Sequence, residues 1–136
     1  MSTRSFLFVL MTFIAFSSCK SSQPDASWTD KQWTVVEMLG VPVQTSNSPQ
    51  DAHLYFNTSD KTVTGNGSCN RIFGPYVLEK KNRISFGNLG VTMMACQNQA
   101  FENKFLETLK SVERYQVSGG QLWLKDSKKR VILKLQ

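Results

Sequence analysis

The chain predicts an α+β domain: a small curled antiparallel sheet or partly open β-barrel of about seven or eight short strands, with one helix inserted late. Three observations carry this. Apolar residues recur with a period of two over most of residues 28–136, one late segment switches to steps of four and three, and turn-forming residues punctuate the runs at short intervals.

The first 18 residues are set apart from the fold. Arg4 and the amino terminus give a positive start, Phe6 to Phe16 is a nearly unbroken apolar run, and Ser17, Ser18, Cys19 and Lys20 end it. A membrane-spanning helix needs about 20 apolar residues, so this run is too short to span and reads as a signal peptide over residues 1–18. A cysteine just behind small residues at the end of such a run resembles the lipobox of bacterial lipoproteins. That resemblance implies diacylglycerol on the Cys19 thiol and makes the membrane a partner through lipidated Cys19. Phe16 stands where leucine is usual, which keeps ordinary cleavage at a serine as the alternative. Residues 19–27 then form a polar, proline-containing tether too poor in apolar side chains to pack.

The domain proper occupies 28–136. Trp33 to Leu39 and Ala52 to Phe56 alternate as strands, and Asp60 and Lys61 turn the chain into Thr62 to Gly65. Gly74 to Glu79 and Arg83 to Phe86 flank a Lys80-Lys81-Asn82 connection, while glycine beside proline at Gly74-Pro75 reads as a turn. From Asn98 to Val112 the residues Phe101, Phe105, Leu109 and Val112 draw one helical stripe, with Glu102, Lys104, Glu107 and Lys110 expected on other faces. Arg114 to Val117 and Gln121 to Lys125 follow, joined at Gly119-Gly120, a strong signal for a tight hairpin turn. Arg130 to Leu135 is the last strand. Trp33 and Trp123 are expected in the core, and Trp28 on the domain edge or at the membrane interface.

The chain carries 16 basic and 10 acidic residues, a formal net charge of +6. Arg4 leaves with the leader, so the mature chain keeps 15 and 10. The basic residues cluster at expected loop tips, Lys128-Lys129-Arg130 and Lys80-Lys81 with Arg83, where solvated turns, anionic head groups and an acidic partner are the readings. No nucleic-acid partner is expected for an exported protein.

Catalytic patterns are absent. His53 is the single histidine and falls in a strand, and no two-His metal spacing, phosphate-cradling glycine loop or paired acidic motif occurs. No catalytic residue, metal or cofactor is therefore expected, and the chain reads as no enzyme. In an oxidising compartment Cys69 and Cys96 are expected to be bridged, with two buried free thiols as the alternative.

One ordered set of residues is more specific. Trp33, then Gly65-Asn-Gly-Ser-Cys69-Asn70-Arg71-Ile-Phe-Gly74-Pro-Tyr76, Phe86-Gly87, Thr92-Met-Met-Ala-Cys96, Glu102 with Phe105, and Leu122 resemble the META domain of HslJ-like bacterial envelope proteins. The resemblance covers residues 28–136, departing mainly at Ser68, where glycine is more usual. It implies a small β-rich domain with one helix, common in envelope lipoproteins, associated with stress and antibiotic tolerance and without an agreed molecular activity. The expected address is the bacterial envelope, on an outer-membrane lipoprotein facing the periplasm. Two functions stay open: a non-catalytic binding module for an envelope protein, with Asn70, Arg71, Thr92 and Met93 as the candidate binding loop, or a carrier of a small hydrophobic ligand in a barrel cavity. Oligomeric state is not legible.

Overall fold

A computed structural model of the chain describes residues 26–136. The signal-peptide and Cys19 expectations lie outside the described residues, as does most of the tether. The strands are β1 (Gln32–Met38), β2 (Val41–Pro42), β3 (His53–Asn57), β4 (Thr62–Asn66), β5 (Arg71–Glu79), β6 (Arg83–Phe86), β7 (Gly90–Val91), β8 (Arg114–Ser118), β9 (Gln121–Lys125) and β10 (Val131–Leu135), with helix α1 (Gln99–Lys110) between β7 and β8.

All pairings are antiparallel, and eight strands close a ring in the order β1-β3-β4-β5-β6-β8-β9-β10, with β10 returning to β1. The two-residue strands β2 and β7 sit off the ring on β1 and β5. The ring is not a regular barrel. It is two half-sheets sharing two corner strands, which hides edges that would otherwise recruit other chains. β1 pairs β3 through Gln32–Thr34 and then β10 from Val35 onward, with a register break between Val35 and Glu37. β5 pairs β4 through 71–75 and β6 through 76–79.

The second corner corrects the reading of Gly74-Pro75 as a turn. Both residues lie inside β5, where the strand changes partners. A Cβ on Gly74 would stand 2.9 Å from the Asn88 carbonyl oxygen, so the chain can pass there only without a side chain. The Pro75 carbonyl accepts from Gly87 N–H at 2.9 Å, and proline's missing donor is tolerated at this bend.

Period-two alternation fills the ring. Leu54, Phe56, Val63, Ile72, Tyr76, Ile84, Leu122, Leu124 and Leu135 point inward and are buried. Phe105 and Leu109 of α1 join the same core, so the helix packs its apolar face onto the ring as the stripe predicts. Trp33 is core, its indole N–H donating to the Trp28 carbonyl at 2.9 Å. The other two tryptophans differ from expectation. Trp28 is 2 % exposed, with ring centroids 4.8 Å from Phe56 and 4.9 Å from Tyr115. Trp123 is half-buried on the outer face, with the Lys125 and Lys134 ammonium groups 6.0 and 5.8 Å from its ring. Position in β9 decides this: Leu122 and Leu124 take the inner face, and the residue between them must face out.

The turns follow from local chemistry. Gly119 and Gly120 have φ of 57° and 76°, the backbone that a two-residue hairpin of this hand requires. At the β9–β10 tip Asp126 accepts from the N–H groups of Lys128 (3.0 Å) and Arg130 (2.9 Å) and from the Arg130 side chain (2.7 Å). Burial alone would raise the Asp126 carboxyl, but the Arg130 and turn hydrogen bonds outweigh it and hold the group below the usual aspartate value. Thr58 hydrogen bonds hold Asp30 low, and those of Ser46 hold Asp51 low. A depressed folded-state pKa contributes stability that is present above the unfolded value and is lost as pH falls through the folded one. Stability should therefore fall in acid, below about pH 4. An Asp30→Asn, Asp51→Asn, Asp126→Asn triple variant should show a flatter acid limb in urea melts across pH.

Candidate functional site

The outer faces of β3, β4 and β5 present His53 and Tyr55, Thr64 and Asn66, and Arg71 and Phe73, residues that alternate with the core set. Two glycines keep this face tight. A Cβ on Gly65 would lie 2.1 Å from the His53 carbonyl oxygen, and one on Gly90 of β7 would lie 2.4 Å from the Phe73 ring. Phe73 therefore folds over Gly90, the strand beside it.

The connection from β4 to β5 makes one wall. Ser68 N–H donates to the Asn66 side chain at 2.7 Å, and Ser68 itself takes φ of 87°, left-handed backbone that glycine adopts more cheaply. Cys69 and Cys96 are joined by a disulfide with Cα atoms 6.1 Å apart, which staples this connection to the segment that follows β7.

Asn70 anchors both segments from inside. It is 1 % exposed. Its backbone N–H donates to Glu102 Oε2 at 2.6 Å and its Nδ2 to Glu102 Oε1 at 2.7 Å, while its Oδ1 accepts from Met94 N–H (2.6 Å) and Thr92 Oγ1 (3.0 Å). Glu102 is 2 % exposed and reaches Asn70 past Gly67, where a Cβ would stand 2.7 Å from the carboxylate. This corrects the outward placement of Glu102. The signal was present: Glu102, Phe105, Leu109 and Val112 also fall at helical steps, so the buried stripe includes the acid.

The four candidate loop residues thus divide. Asn70 and Thr92 Oγ1 hold the loop together, whereas Arg71 and Met93 face solvent, Met93 being 97 % exposed. Arg71 lies at the start of β5 rather than in a loop, and among the described residues its guanidinium has no hydrogen-bond or carboxylate partner. Removing Glu102 strips two charge-assisted bonds from buried donors. Glu102→Ala should destabilise the domain by about 3 kcal/mol in chemical denaturation, and Glu102→Gln by less, since one acceptor remains.

Between these walls lies a cleft of ≈ 910 Å³ lined by Tyr55, His53, Arg71, Phe73, Met94 and the disulfide, with no carboxylate side chain on its surface. His53 Nδ1 lies 2.8 Å from the Asp51 carbonyl. Among the described residues no cluster of three or more His, Cys, Asp or Glu could hold a metal, and no helix is long and apolar enough to cross a membrane.

An eight-strand ring with two strand additions, one packed helix and a stapled surface cleft defines a small, mostly β domain with one late helix. The chain belongs to the META domain family, whose model matches residues 26–136. No curated protein matches it. Among solved structures it is similar to a protein from Burkholderia xenovorans determined by NMR, at 25% identity and TM-score 0.62, covering 79% of this chain and 81% of that one. It also shares its fold with a DUF4847 family protein from Bacteroides vulgatus, at 18% identity and TM-score 0.61, covering 80% and 93%.

Proposed function

We propose that this chain is a non-catalytic binding module, tethered to the bacterial cell envelope through lipidated Cys19 and facing the periplasm from the outer membrane. Its cleft beside the disulfide engages another envelope protein in a role in stress or antibiotic tolerance. The observation that carries the reading is the composition of that cleft. Arginine, aromatic residues and methionine are the side chains enriched at protein interfaces, and Arg71, Phe73, Tyr55 and Met94 supply all three kinds around one concavity, with Met93 exposed beside them. The walls are held by a disulfide and by the buried Asn70–Glu102 pair, so little ordering is needed on binding. The carrier reading finds less support, because Trp33, Phe56, Tyr76 and Phe105 fill the ring interior where a ligand would sit.

The test is Arg71→Ala in intact cells carrying a photo-crosslinker at Phe73. The variant should melt as the parent does, because Arg71 is exposed, and should lose the specific crosslinked adduct. An adduct that survives Arg71→Ala at parental yield would count against this face.

A further inference from the structure

A second concavity lies at the other end of β5. The β5–β6 turn, β8, β9 and the β9–β10 turn bring Lys81, Arg114, Lys125 and Lys129 around one small cleft of ≈ 190 Å³, together with Asn82 and Gln116. None of its lining residues carries a carboxylate. Nearby acids are already engaged: Asp126 with Arg130 at 2.6 Å, and Glu79 and Glu113 with Arg83 at 3.4 and 4.0 Å.

Two of the four lining cations, Arg114 and Lys125, meet neutral acceptors. Arg114 Nη1 donates to the Lys81 carbonyl at 3.3 Å, and Lys125 Nζ to Gln116 Oε1 at 2.5 Å. Arg83 stands directly opposite Arg114 across the β6–β8 ladder, a like-charge placement that opposes pairing. Charges of one sign gathered in a concavity focus a positive potential there, and a multiply charged anion is its natural complement.

We propose that this cleft is a phosphate-binding site, taking either the phosphate of an anionic lipid head group or free phosphate. A planar guanidinium beside three ammonium groups and two side-chain amides offers donors suited to a phosphate's oxygens. The cleft is also near the point where the chain enters the domain. Trp28 packs against Tyr115, which lines the cleft. The Arg71 cleft sits at the opposite end of β5.

The full chain, held in bilayer discs of phosphatidylcholine, is titrated with inorganic phosphate and separately transferred to discs containing phosphatidylglycerol, following the NMR amide signals of Arg114, Lys125 and Lys129. Saturable shifts with inorganic phosphate assign a small-anion site, and shifts only with phosphatidylglycerol assign a head-group site. In either arm Lys81→Gln/Lys129→Gln should weaken binding about fivefold for each charge removed while leaving the melting temperature unchanged. Lys61→Gln/Lys104→Gln removes the same charge elsewhere on the surface and should retain most of the binding. The assignment is overturned if neither phosphate source moves these signals, or if the second pair loses as much as the first.

Discussion

Trp28→Ala is expected to destabilise the domain by about 4 kcal/mol, the cost of deleting a fully buried large aromatic, and to lower Tm by about 15 °C for a domain of this size. Trp28 precedes the first strand, yet its ring touches Phe56 on β3 and Tyr115 on β8, two strands on opposite sides of the ring. Its carbonyl also receives the Trp33 indole. The substitution therefore opens a cavity where three parts of the chain meet. Trp28→Phe keeps much of that packing and should lose less than half as much. Calorimetry on both variants checks the ordering; a loss below about 1 kcal/mol for the alanine variant would show that the residue lies at the surface.

Loss of the Cys69–Cys96 bridge is the second large effect. The cysteines are separated by 27 residues. A crosslink closing a loop of that length stabilises by roughly 3.5 kcal/mol in the chain-entropy account. The Cys69→Ser/Cys96→Ser variant, or reduction under native conditions, should lower the unfolding free energy in urea melts by that amount and steepen the slope, since a denatured chain without the crosslink is less compact and exposes more surface. The change should also loosen the cleft selectively. The disulfide and the Asn70–Glu102 pair fasten the same two segments, so combining the cysteine changes with Glu102→Ala should cost more than the sum of the two. Native mass measurement of the untreated chain should read two hydrogens below the reduced form.

Much of this architecture was legible in the sequence. The strand pattern around Arg83–Phe86 and Gln121–Lys125, the late helix, and the Gly119-Gly120 turn are all set by local signals: alternation, one apolar stripe, and glycines with positive φ. β2 and β7 were not, because two residues cannot display a period. Arg71–Phe73 escaped as a strand because Gly74-Pro75 reads as punctuation, whereas the fold uses it to pass one strand between two half-sheets. The inward or outward sense of a single tryptophan also depends on register. Trp123 looks like a core residue until its neighbours Leu122 and Leu124 claim the interior.

The candidate site was legible only in part. Cys69 and Cys96 marked its wall, and Arg71 marked one of its lining residues. His53, Tyr55, Phe73 and Met94 come from three separate stretches of chain, brought together by pairing that no local pattern encodes. The cationic cleft depends likewise on two lysine-bearing turns, far apart in sequence, meeting across β8.

Closure of the ring has a kinetic consequence. β1 finds its last neighbour in β10, and the Lys134–Glu37 ion pair spans 97 positions of sequence. Such a contact must await the ordering of nearly everything between its partners, and loop closure over that span is unfavourable until the intervening hairpins have condensed. Folding should thus be slow for the domain's size and all-or-none. A fragment lacking β10 would leave open edges on β1 and β9 and behave as an aggregation-prone intermediate.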